Sequence, residues 1–145
     1  MASVWTAALV RDAEQALIAT FTTPTLGANV VMEYANAVAL TETTILSDLV
    51  EATYDGYARG TVGSWVGPQT DLSGDIVVVP NAPITFSCSG ATTLNTVYGI
   101  GILNPAGTTL LAAADFPTPI SPVPGQVHSV NPKIAANGSV DNCLC

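Results

Sequence analysis

The sequence predicts a mainly β protein, an antiparallel β-sandwich or jelly roll of about seven to eight strands with a short N-terminal helix or arm. Three observations lead there. Short runs rich in Val, Ile, Thr and Tyr recur through most of the 145 residues, and such runs suit a pleated, half-buried surface. Gly, Pro, Asn and Asp punctuate them at short intervals, as turn residues do. Helical periodicity is convincing in one place only, near the start, so nothing alternates with the strands to build βαβ units.

The elements follow in order. In "ALVRDAEQALIAT", residues 8 to 20, Leu9, Ala13, Ala16 and Leu17 share one side at helical spacing, while Arg11, Glu14 and Gln15 fall elsewhere. "TTPTLGAN" ends that helix through Pro24 and Gly27. "NVVMEYANAVAL" reads as the first strand, bent near Asn36. "TETTILSDLVEATYDG" is a connection with one helical turn, where Ser47 can cap and Asp48 and Glu51 suit the first turn. Six further strands are expected in "YARGTVGSWV", "GDIVVVP", "APITFSCS", "TVYGIGILN", "TTLLAAADF" and "QVHSVNPKI". Between them, "GPQTDLSG", "NAP", "GATTLN", "NPAG" and "PTPISPVPG" are turns or loops. The last is an extended crossing, or an edge where Pro forfeits no ladder donor. The expected organisation is a helical segment or arm over 1–27, a β-sandwich domain over 28–135 and a C-terminal tail over 136–145.

A single domain of this length buries a respectable core. Its surface is harder to furnish. Lys and Arg total 3, Asp and Glu total 11, and the net charge is -8. Only 10% of residues are charged and 48% are hydrophobic, so a monomer would have to expose Ser, Thr, Gly and apolar atoms. Extended apolar patches mark partner surfaces. Nucleic acid is excluded as a partner, because Arg11, Arg59 and Lys133 are too few and too scattered to neutralise phosphates. Anionic membrane surfaces are disfavoured for the same reason. The start of the chain lacks a basic stretch followed by an uninterrupted apolar one, so it does not read as a signal peptide, and no stretch is long and apolar enough to span a bilayer.

No pattern of residues announces catalysis. Asp48, Glu51 and Asp55 are the densest carboxylates, but a helix cap and a turn account for them, and their spacing fits no calcium loop. His128 is the sole histidine and reads as a structural or surface residue. No G-x-S-x-G elbow supplies a nucleophile for it. Cys88, Cys143 and Cys145 form neither a disulfide framework nor a zinc pattern, and "CLC" reads as a frayed end. No cofactor and no metal are expected. In "EATYDGYARGTVGSW", Asp55-Gly56 is a turn signal, and the flanking tyrosines suit a corner where a ring is buried while its hydroxyl reaches the backbone. The functional alternative is a glycan or peptide platform of Tyr54, Tyr57 and Trp65, helped by loop residues such as Asp71 and Asn104.

Read in order, "TTILSDLVEATYDGYARGTV", "ITFSCSG" and "TVYGIGILNPAGTTLLAAADFPTPI" resemble the small virion structural proteins of tailed bacteriophages, cyanophages among them. The matching positions are Asp48, Glu51, Ala52, Gly56, Tyr57, Ala58, Phe86, Val97, Tyr98, Gly99, Leu110, Leu111, Ala113, Phe116 and Pro119, within residues 43 to 120. Ala114-Asp115 departs from the Glu-Arg or similar pair common there, and the two chain ends lie outside the pattern. The resemblance implies a capsid cement or decoration protein, not an enzyme. It would be a homotrimer on the outer surface of the virion, assembled in the host cytoplasm and bound to the major capsid protein at subunit junctions. A tail, neck or fibre subunit is the alternative within virions, and a glycan or host-surface binding module the alternative outside that role. Expected partner contacts are Val4, Trp5, Leu9, Leu17 and Phe21 in the N-terminal segment and Pro117, Pro119, Ile120 and Pro122 in the crossing.

Overall fold

The computed structural model describes residues 3–5, 27–70, 72, 76–135 and 140–144, with backbone alone at 3–5, 68, 76 and 140–144. The strands are β1 (Ser3–Trp5), β2 (Val30–Tyr34), β3 (Gly60–Thr61), β4 (Trp65–Thr70), β5 (Ile76–Pro80), β6 (Ile84–Ser87), β7 (Val97–Leu103), β8 (Leu110–Ile120), β9 (Val127–Ala135) and β10 (Val140–Leu144). All pairings are antiparallel. One five-stranded sheet runs β1-β8-β7-β2-β3, and the other runs β10-β9-β5-β4 with β6 also on β9. Helix among the described residues is confined to a 3-10 turn at Leu46–Asp48. The protein is mainly β, as its composition and turn spacing dictate.

The period of two assigns the faces of the first sheet. Val31, Ile102 and Ala112 stand abreast, as do Glu33, Ile100 and Ala114. This face meets the other sheet in one core cluster, where Val31, Val97, Ile100 and Phe116 join Ile84, Phe86 and Val130, with Tyr54, Val62 and Cys88 from the connections. The opposite face carries Met32, Tyr34, Leu103, Leu110 and Ala113, covered by Leu40 and Leu49 of the segment after β2. Burial on both faces explains why "VYGIGIL" reads as a continuous apolar run and not as an alternation.

Two interruptions shape the sheets. β5 and β6 lie end to end along one side of β9, but the register moves by two residues between Val78↔Ile134 and Ile84↔Val130. Pro132, with no N–H to donate, sits opposite that gap and so leaves few ladder bonds unmade. In β8, Gly99↔Asp115 is followed by Val97↔Ile120, so Phe116 to Pro119 face Tyr98 alone and bulge from the ladder. The first part of the proline-dense segment, 117–120, is therefore strand, and only the remainder, 121–125, is the non-ladder connection expected from its composition.

Other expectations are corrected. Val140–Leu144, assigned to a frayed tail, pairs along β9, and Ser3–Trp5, assigned to a helical arm, pairs with Ala114, Ala113 and Ala112 of β8. Unpaired edge groups of β8 and β9 reward any extended chain that reaches them. The helix expected over 8–20 lies outside the described residues. "YARGTVGSWV" is two strands in different sheets, because the chain crosses at Val62–Ser64, where Ser64 and Asn81 exchange hydrogen bonds of 2.9 and 3.2 Å. "GPQT" is strand, not loop, with its irregularity absorbed between Val66 and Gln69. Asp48, not Ser47, caps the 3-10 turn by accepting the Ile45 N–H at 2.9 Å.

Candidate functional site

The most unusual chemistry lies inside. β2 turns Val31 and Glu33 toward the second sheet, so a carboxylate enters the core with 0% of its surface exposed. An isolated buried carboxylate would be prohibitively costly, so it must be paired and hydrogen-bonded. Both oxygens are met. The Tyr54 hydroxyl donates to Oε2 at 2.6 Å, and His128 Nε2 lies 2.5 Å from Oε1. β9 supplies His128, buried at 6% exposure, directly across from Phe86 of β6, whose ring stacks on the imidazole at 5.7 Å. His128 Nδ1 has no hydrogen-bond partner, which fits a neutral Nε2–H tautomer donating to Glu33.

A second tier links this core to the surface. Tyr57 Oη accepts the Glu33 backbone N–H and donates to Glu51 Oε1, both at 3.1 Å. Arg59 then grips Glu51 through Nε at 2.7 Å and Nη2 at 2.8 Å, and reaches the Gly107 carbonyl at 2.9 Å. The Arg59 guanidinium holds the Glu51 carboxyl below its ordinary value. Burial pushes the Tyr54 and Tyr57 hydroxyls well above theirs, and the neighbouring Glu33 adds to the effect at Tyr54. The cluster's hydrogen bonds tie the two sheets and the 51–59 corner together.

That corner forms around the Asp-Gly pair. Tyr57 N–H donates to Tyr54 O at 2.9 Å, with Gly56 at φ 85, where a side chain would be strained. Asp55 accepts the Thr92 and Thr93 N–H groups at 2.7 and 3.2 Å, tying the corner to the next loop. The three residues of the platform alternative are all engaged within the fold. Tyr54 is buried, Tyr57 has its hydroxyl engaged, and half-buried Trp65 donates its indole N–H to Asn29 at 2.8 Å. The Asn104 side chain is likewise occupied, receiving the Thr108 and Thr109 N–H groups of its own turn. Asp71 lies outside the described residues.

The expected contact residues separate. Pro117 and Pro119 are exposed. Ile120 packs partly against the core, and Pro122 is buried, so Pro122 is no partner contact. The Val123–Gln126 turn follows it, closed by the Gln126 N–H on the Val123 carbonyl and by the Gln126 side chain accepting the Val123 N–H. Val4 and Trp5 lie on β1, while Leu9, Leu17 and Phe21 fall outside the described residues.

Glu33 was the residue that sequence reading passed over. The signal was present: it shares the strand phase of Val31, and an acidic residue at a core position needs a partner. The one histidine was the natural candidate.

Two concavities open on the surface formed by the described residues. One, of about 450 Å³, runs between Ile45, Leu46 and Ser47 on one side and Thr108, Thr109 and Leu110 on the other. The second, of about 310 Å³, is lined by Ala37, Val38, Tyr98, Asp115, Phe116, Pro117 and Pro119. Among the described residues, no three His, Cys, Asp or Glu side chains converge on a metal position. Comparison of the chain with protein-family models, with curated proteins and with solved structures returned no match.

Proposed function

We propose that this chain is a non-catalytic structural subunit whose work is adhesion, and that it serves as a cement or decoration protein on a tailed-phage capsid. The two sheets are read here as a β-sandwich of jelly-roll type. One observation carries the adhesive reading: the fold spends its few charges on itself. Glu33, Asp48, Glu51, Asp55, Arg59 and Asp115 are all held in intramolecular hydrogen bonds. Meanwhile Ile45, Val50, Val123 and Val127 are each more than half exposed, and Leu94 nearly so. A surface so composed gains by meeting another, at roughly 25 cal/mol per Å² of apolar area removed from water.

The capsid assignment rests on the resemblance over residues 43 to 120. On it, the chain is a homotrimer that binds the major capsid protein at subunit junctions on the outer surface. Area burial is offset by association entropy and multiplied by the valency of a trimer. Light scattering of the purified protein is expected to give a trimer, and the protein is expected to co-sediment with capsids. Locating the chain in a reconstruction of the particle decides the matter. Density in the tail or neck would move the assignment to those parts, and a dispersed monomer that ignores capsids would end it.

A further inference from the structure

The smaller cleft is built by a departure from regular pairing. After Asp115, β8 carries four residues, Phe116 to Pro119, against the single Tyr98 of β7. Pro117 and Pro119 have no N–H to give the ladder, so the strand swells there at little cost. The swelling turns two exposed proline rings, the half-buried Tyr98 ring and the Asp115 carboxylate toward one hollow, closed on the far side by Ala37 and Val38. Bulges re-aim side chains and are frequent beside binding sites.

Asp115 is held in place from below. The Tyr34 hydroxyl donates to its Oδ1 at 2.5 Å. Tyr34 reaches it across Gly99, the only residue type that fits there, since a Cβ would collide with the Tyr34 hydroxyl and the Ala114 carbonyl. Burial, then Asp115 itself, pushes the Tyr34 hydroxyl far above its ordinary value, so it remains a donor to Oδ1. A carboxylate offers about four acceptor positions, and Tyr34 takes one. Among the described residues, no lysine or arginine lines the cleft.

We infer that the Tyr98–Asp115–Pro117–Pro119 cleft is a receptor for one arginine side chain of a partner protein. The chemistry is complementary throughout. A guanidinium can stack on a tyrosine face and on proline rings while its N–H groups meet a fixed carboxylate. A volume of about 310 Å³ stands at the bottom of the range for small-molecule sites, roughly 300–1,000 Å³, and so suits a side chain better than a cofactor. A chain of net charge -8 also favours a basic neighbour over an acidic one. The partner's identity as an adjoining coat subunit rests on the proposed function, whereas the cleft's chemistry does not.

The test uses the full chain, with Nα-acetyl-arginine amide as the probe and the uncharged citrulline analogue as its control, followed by amide NMR shifts. The expected result is saturable shifts centred on Tyr98, Asp115 and Phe116, weakened by salt and absent with citrulline. Asp115→Asn keeps an oxygen for the Tyr34 hydroxyl and is expected to weaken binding at least tenfold. Tyr98→Ala, at a half-buried position, is expected to weaken it several-fold. Equal shifts from citrulline, or undiminished binding in either variant, would overturn the inference. Such a failure leaves the assembly role to the particle reconstruction, and failure of that role leaves the probe result standing.

Discussion

Replacing Glu33 by Leu removes the carboxylate on which the interior polar cluster depends. Two donors would lose their acceptor at once: the Tyr54 hydroxyl, now 2.6 Å from Oε2, and His128 Nε2, now 2.5 Å from Oε1. Both donor residues are buried, at 2% and 6% exposure, so water cannot substitute. Leaving a buried donor unsatisfied costs about 1–3 kcal/mol, so the two together cost roughly 2–6 kcal/mol. A domain of this size has roughly 5–15 kcal/mol to lose. At about 3 °C per kcal/mol, Glu33→Leu should lower the melting temperature by roughly 6–18 °C. The companion variant is Glu33→Leu with His128→Leu and Tyr54→Phe, which removes the donors along with the acceptor. Apolar replacement of a whole buried pair is often neutral, so the triple variant should be more stable than the single one. Urea unfolding of both at 25 °C measures the difference. A single variant that loses less than about 1 kcal/mol, or a triple variant whose losses simply add, would show that these groups are not coupled as described.

Other outcomes follow from the same geometry. Glu51 titrates below its ordinary 4.5 in the folded state, so its pairing with Arg59 stabilises above that pH and is lost as pH falls through the folded value. Arg59→Gln should therefore cost up to about 1 kcal/mol at pH 7, the pair being partly exposed, and less as the pH falls through the folded value, where only the Gly107 contact is left to lose; unfolding midpoints measured at pH 7 and in acid check this. Tyr34, Tyr54 and Tyr57 are all raised above the ordinary 10.0. Their contribution is whole below pH 10 and declines as pH rises beyond it, so ultraviolet titration should show these three ionising only as the protein unfolds. Gly99→Ala forces a methyl into the Tyr34 ring and the Ala114 carbonyl and should destabilise by about 1–3 kcal/mol. Gly27→Ala, with no heavy atom within 4 Å, should change the midpoint hardly at all.

The sequence by itself determined the strand content, the Asp55-Gly56 corner and the shortage of charge. These depend on local preferences and on composition, which need no partner. Boundaries were legible where apolar runs ended in turn residues, as at β5, β7 and β9. They were misread where a distant strand intervened. The tail at 140–144 is extended because β9 offers it free hydrogen-bonding groups, and nothing in "VDNCL" announces that offer. Prolines 117 and 119 stay within a strand because the bulge excuses their missing donors. Tertiary structure alone decided that Glu33 meets His128, 95 positions away, and that Asp115 is steadied by Tyr34 across Gly99. A pairing between residues so far apart is set by which sheet faces which, and that choice belongs to the whole chain's burial of apolar surface.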